Sequence, residues 1–402
     1  MTGFINIGLV FILILLLTLK RVCLWGSLLA ATVLLGLLYH LPLSRIGLDL
    51  VSSALDKDTV FLLFALLGIL FFGNLMRETG RMDEITEGLR HVLKDIRVVI
   101  ALLPAMIGML PIMGGALVSA PMVVAGSDEL KLSAERRTFI NYWFRHIWEY
   151  SLPTFPAIVI AATVIGIPVR KFSWGNFPLT LSAILSGALS GFRGVSKPVK
   201  EMDRSSEATS PGRLFQDLCP LLLVLALVIG FKVRLAYALA IAIGGMILLF
   251  RIQWKDISRG FRQSLDMELL LTVIAIMGFK KILETSQAIT SVSGSLSASG
   301  IPVPIIFMFI PFLIGFMTGY PIATMGIALP IIATFLKDDP RYLGYMMLGF
   351  TSGFCGQMVS PFHLCLVLTK EYFGASWKGI YQLTLLPVVF ILAIRLLMTL
   401  FL

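Results

Sequence analysis

Apolar runs long enough to cross a bilayer fill most of this chain, and they decide its architecture before any motif is read. In hydrocarbon every backbone N–H and C=O must find a partner inside its own segment, so runs of this length fold as helices. Gly3 to Leu19, Val22 to Tyr39, Thr59 to Met76, Phe139 to Ile167 and Phe177 to Phe192 form a first series. Leu214 to Phe231, Val233 to Phe250, Met267 to Leu283, Tyr342 to Leu368 and Ile380 to Leu402 form a second. The expected fold is an all-α polytopic membrane protein of about ten transmembrane helices. With 57% hydrophobic and 14% charged residues, the chain has no room for a separate soluble domain. Its longest polar stretch, about Arg193 to Arg213, is too short to bury a core. The net charge of +10 sits in short loops, where the positive-inside rule accounts for it. Nucleic acid is therefore excluded as a partner, and the lipid bilayer is the medium.

Between the third and fourth members of each series lies an apolar segment dense in Gly and Pro, Val98 to Gly126 and Ile301 to Phe335. Both are too long for one helix and interrupted in the middle, which predicts two re-entrant hairpins, 98–126 and 301–335. Pro104 and Gly108 match Pro311 and Gly315 at an offset of 207, as do Met82, Ile85 and Leu89 with Ile289, Val292 and Leu296. Glu149 and Pro153 match Gln357 and Pro361 at 208. The chain thus divides into a first repeat over 1–192, a cytoplasmic linker over 193–213 and a second repeat over 214–402. Five crossings per half make the repeats inverted. One face collects 21 Lys and Arg against 10 on the other, which makes it cytoplasmic and places both termini outside the cell membrane. Gly3 to Leu19, followed by Lys20 and Arg21, reads as a retained span and not a signal peptide. Between Arg77 and Arg97 an apolar stripe at helical spacing predicts an in-plane interfacial helix, with Glu284 to Gly300 as its counterpart.

Phe139 to Ile167 carries Arg145, His146 and Glu149 just ahead of Pro153 and Pro156. Ionisable groups inside a span are costly and mark a pathway, and the two prolines predict that the helix is broken there. A break at bilayer depth survives where it lines a cavity, and in carriers such breaks hold ions and anions. Blander readings stand beside this one. Arg145 lies about 10 Å into the span and can snorkel; Arg145 and Glu149 at i, i+4 can form a structural ion pair; His146 alone can be a hydrogen-bonded interior histidine.

The hairpin turns bring Gly114, Gly115 and Ser119 in the first half, and Thr318, Gly319 and Thr324 in the second. Glycines there let a backbone approach a ligand, and amides at half-helix starts attract anions. The second broken span adds Gln357, Ser360, Pro361 and His363. One ionisable carboxyl, one neutral amide and carbonyls freed by two unwound segments suit a small-molecule anion plus a coupling cation. Glu149 is the candidate proton carrier, and Na⁺ held by carbonyls is the alternative to H⁺. Cys23, Cys219, Cys355 and Cys365 lie in or beside apolar runs without metal spacing, so no cofactor or metal is expected.

The Gly114-Gly115 hairpin followed by FRHIWEYSLPTFP (Phe144 to Pro156) resembles the DUF401 membrane family, placed in the ion transporter superfamily with citrate, dicarboxylate, gluconate and arsenite carriers. The resemblance covers essentially the whole chain. It implies a scaffold and a transport domain, an elevator-like motion, a homodimer, and a site between two hairpin tips and two broken helices. Dicarboxylate carriers of that superfamily have Ser-Asn-Thr motifs at the tips; this chain has none, so their ligands do not carry over. The expectation is a secondary active transporter of an organic acid or oxyanion, not an enzyme. Two competing classes remain on the residues. An intramembrane enzyme would use His146 and Glu149 as metal ligands, or Ser360 with His363 as nucleophile and base, although HExxH and G-x-S-x-G are both missing. A membrane anchor for a partner would leave the paired hairpins unexplained.

Overall fold

Where the apolar runs meet a side-chain cap, a proline or a glycine, the helices begin and end. The computed structural model describes residues 2–20, 22–93, 95–109, 115–128, 130–195, 211–286, 302–333 and 340–401. Most of the linker, most of the Glu284 to Gly300 segment with its three matching apolar positions, and Gly114 lie outside the described residues. Among the described residues there is no strand. The first half runs α1 (Thr2–Leu19), α2 (Leu24–Leu38), α3 (Leu43–Ala54), α4 (Lys57–Glu78), α5 (Arg81–Val92), α6 (Ile96–Gly108), α7 (Gly115–Ser127), α8 (Ala134–His146), α9 (Pro156–Ile165) and α10 (Val169–Phe192). The second runs α11 (Pro211–Leu225), α12 (Leu235–Leu249), α13 (Trp254–Ser264), α14 (Met267–Thr285), α15 (Val303–Thr318), α16 (Pro321–Ala333), α17 (Tyr342–Met358), α18 (Leu364–Phe373) and α19 (Trp377–Phe401).

Asp56, Asp95, Ser133 and Asp266 cap α4, α6, α8 and α14 by accepting from backbone amides of the first turn. Gly166, Gly319 and Gly374 end α9, α15 and α18 in the left-handed region. Among the described residues three helical stretches, Lys57–Glu78, Gly212–Gly230 (α11 continued by the π turn Ala226–Gly230) and Trp377–Phe401, are long and apolar enough to cross a bilayer alone. Two helices appear where loops were expected. α3 buries only Ile46, Asp49 and Ser53, and α13 only Gly260 and Ser264. Both are short and amphipathic, so neither raises a span-length hydropathy window.

Two apolar cores form. The larger joins α2, α4, α9, α12, α14 and α16. The smaller gathers α6, α8 and α10 with the C-terminal end of α17, α18 and α19. Each predicted hairpin packs on a broken span: α6 and α7 on α8, and α15 and α16 on α17.

The expected interfacial segment after α4 is helical as α5, and it is bolted to α11 by an ion pair. Arg81 binds Asp217, whose side chain is fully buried, and its guanidinium lies 3.8 Å over the Phe250 ring. Removing one partner of a buried pair strands the other charge, at about 3–5 kcal/mol. Arg81 keeps 24% of its side chain exposed, so Asp217→Asn should cost about 3 kcal/mol or less. The check is a lowered unfolding midpoint in detergent, with Arg213→Gln, whose exposed partner is Glu84, changing it far less.

Candidate functional site

α8 ends at His146, and Pro153, which cannot donate to the carbonyl of Glu149 and would clash with it, keeps the α-helix from resuming. Ile147–Tyr150 tighten into a 3₁₀ turn, Ser151 to Phe155 leave helical geometry, and Pro156 restarts the chain at the first position of α9, where no donor is lost. α17 stops at Met358 ahead of Pro361, and α18 restarts at Leu364. At the start of α8, Glu135 accepts from the amide and hydroxyl of Ser376 at 3.3 and 3.0 Å. Its own amide, and then these donors, hold its carboxyl below the usual carboxylate range.

The two breaks meet. Nε2 of His146 lies 3.2 Å from Nε2 of His363, with the rings at 71°. Nδ1 of His146 donates to the Tyr142 carbonyl at 2.6 Å, and Nδ1 of His363 donates to the Gly319 carbonyl at 2.7 Å. Tyr142 is fully buried against both rings and donates to the Met358 carbonyl at 3.1 Å. The Glu149 carboxylate stands 3.6 Å from His146 Nε2, in the i, i+3 relation of the tightened turn. Arg145 is 4% exposed, so it faces the protein interior and does not snorkel. Its Nη1 lies 3.9 Å from Cys365 Sγ.

The hairpins reach these breaks through glycines. A Cβ on Gly115 would strike the Arg145 guanidinium. Gly319 sits at φ 62°, and a Cβ there would meet the backbone amide of His363 at 2.6 Å. Asn141 Nδ2 donates to the Ala116 carbonyl at 2.9 Å and fixes α7 on α8.

Gly115, Arg145, His146, Glu149, Gly319 and His363 thus come together in one junction. Pro153 lies buried in the first break and Pro361, half-buried, in the second. Ser119 bonds back within α7, and Thr318 within the C-terminal end of α15. Thr324 packs on Gly353, and its buried hydroxyl finds no partner; both amide atoms of Gln357, 1% exposed, are likewise unpartnered. The Ser360–His363 dyad does not form. Ser360 Oγ donates to the Phe316 carbonyl at 2.5 Å, while His363 turns Nδ1 to the Gly319 carbonyl and Nε2 to His146. Ser360 is instead a latch between the second break and the second hairpin. A cleft of about 550 Å³ is lined by Phe61, Val159, Thr163, Arg170, Lys232 and Arg234 among others, and by no residue of this junction.

Sequence reasoning missed Tyr142, Asn141 and Cys365. His146 and His363 are 217 residues apart, outside the 207 to 208 register that relates the halves, so the repeat gives no hint of their meeting. The one available signal was the His363-x-Cys365 spacing that begins two residues after Pro361.

The family model described as protein of unknown function, DUF401, matches residues 5–402. The chain belongs to the DUF401 family. No curated protein matches it. Among solved structures it is similar to the YdaH transporter of Alcanivorax borkumensis, described as having an unusual topology. The TM-score is 0.66 at 13% identity over 89% of this chain and 88% of that one. This DUF401 chain therefore shares a fold with that transporter across nearly its whole length.

Proposed function

We propose that this DUF401 protein is a secondary active transporter of a small anion, an organic acid or an oxyanion. One observation carries the reading: a buried arginine, and a buried glutamine amide whose own two polar atoms find no partner, lie on two broken helices that abut. Unsatisfied polar groups in a dry interior are costly, and a polar ligand that pairs with them recovers the loss. The shared fold with the YdaH transporter supports the same class. The reading takes in membership of the ion transporter superfamily, inverted repeats, a homodimeric scaffold and an elevator-like displacement of the hairpins with their broken helices. Coupling sits at the same junction, by H⁺ on Glu149 in the first instance and by Na⁺ on freed carbonyls in the second.

The test is a thermal-shift panel of carboxylates, sugar acids and oxyanions on the purified protein, in sodium and in potassium at two pH values, followed by counterflow of the labelled hit in proteoliposomes. A ligand that binds the folded state raises the midpoint by mass action. Counterflow of that ligand is expected, with loss of exchange or of its pH dependence in Glu149→Gln. A sodium-dependent hit moves coupling to the carbonyls. If no anion shifts the midpoint and none exchanges, the carrier reading falls.

A further inference from the structure

The two histidines present an arrangement that neutral imidazoles alone do not favour. A backbone carbonyl can only accept, so the bonds to Tyr142 and Gly319 place a proton on Nδ1 of each ring. Each Nε2 is then left with a bare lone pair, and the two face one another across 3.2 Å between buried rings. Something positive between them resolves the repulsion.

We infer that His146, His363 and Cys365 form a binding site for a zinc-class transition-metal ion, clamping the first broken helix to the second. One nitrogen of each ring and Cys365 Sγ lie within 4.8 Å of one another. Two nitrogens at about 2.05 Å from a tetrahedral zinc ion are about 3.3 Å apart, close to the spacing of the two Nε2 atoms. The sulfur completes the choice of metal, because imidazole with thiolate selects zinc-class ions over calcium or magnesium. The orienting bonds are also those a metal site needs: each ligating ring donates its other N–H to a carbonyl, which fixes tautomer and direction.

The carboxylate of Glu149, 3.6 Å from His146 Nε2, is placed to supply or gate the fourth position. Charge balances without a large residue. A divalent ion, a thiolate and a carboxylate sum to zero, and the Arg145 guanidinium lies beside the thiolate, Nη1 3.9 Å from Cys365 Sγ. The site draws on the first break, the second break and, through Gly319, the second hairpin, so occupancy would tie their relative positions. This inference does not rest on transport; the clamp stands or falls by metal binding alone.

The experiment uses the full-length purified protein, stripped with a chelator and titrated with Zn²⁺ against a chromophoric competitor. Co²⁺ then serves as an optical probe. The expected result is one Zn²⁺ per chain and a sulfur-to-Co²⁺ charge-transfer band. Cys365→Ser should abolish that band, and His363→Gln should weaken Zn²⁺ binding by at least about 100-fold, the upper end of what losing even a supporting partner costs. His40→Gln, outside the cluster, should leave both unchanged. Sub-stoichiometric binding, a missing charge-transfer band in the native chain, or equal affinity in native protein and Cys365→Ser would each overturn the site. If His363→Gln fails to fold, the near-isosteric Cys365→Ser decides the outcome. Anion shifts that persist in a chain with no metal site would leave the carrier reading standing, and metal binding without any anion shift would leave the clamp standing.

Discussion

Arg145→Met is expected to weaken anion-induced stabilisation and counterflow by roughly 10- to 150-fold, and Arg145→Lys to restore little of either. The guanidinium is 4% exposed, lies at the end of α8 one residue before the His146–His363 contact, and has Gly115 of the first hairpin directly over it. It is thus the cation that the hairpin backbone approaches most closely at the junction. A charged hydrogen bond is worth about 1.5–3 kcal/mol, so losing it weakens anion binding by roughly 10- to 150-fold. Lysine carries the charge but not the planar fork, and it cannot reproduce a geometry set between a hairpin glycine and Cys365. The measurement is the ligand-induced midpoint shift across a concentration series, read beside the midpoint without ligand. Met and Lys variants that fold normally and shift fully would make Arg145 a structural cation and move the anion to Gln357 and Thr324.

Much of this fold was legible because hydrocarbon leaves a chain few options. Apolar runs became helices, Gly/Pro-interrupted runs became the helix pairs α6–α7 and α15–α16, and Pro153 and Pro361 marked both breaks. α3 and α13 were not legible, since their apolar residues are few and their exposed faces carry the rest of the pattern. The candidate site divides the same way. Arg145 and Glu149 announce themselves because charge in a span is rare, yet the expected i, i+4 relation between them required α8 to continue past His146, where the ladder ends. Proximity between His146, His363 and Cys365 depends on how two halves dock, and no local periodicity encodes that.

Gly108→Ala and Gly315→Ala should be among the most destabilising substitutions in the chain, although each adds one methyl group. These glycines stand at the same offset of 207 in the two hairpins, and each lies against the backbone of the broken helix beside it. A Cβ on Gly108 would overlap the carbonyl of Arg145, and one on Gly315 the carbonyl of Gly353. Overpacking costs about 1–3 kcal/mol where side chains can yield. Here the obstacle is main chain, so the helices must part, and a loss of at least about 3 kcal/mol is expected. Gly115→Ala separates stability from function. Its Cβ would meet the end of the Arg145 side chain and not main chain, so the midpoint should fall less than for Gly108→Ala while anion binding falls. Gly245→Ala is the baseline: with nothing near its Cβ, it should gain up to about 1 kcal/mol from helix propensity. Unfolding midpoints of the four variants in one detergent check the order. If Gly108→Ala and Gly315→Ala unfold no earlier than Gly245→Ala, the close approach of hairpin to broken helix is not a feature of the folded protein. If they unfold early and Gly115→Ala does not, hairpin and broken helix form one rigid body, and Arg145 is the part of it that can move to meet a ligand.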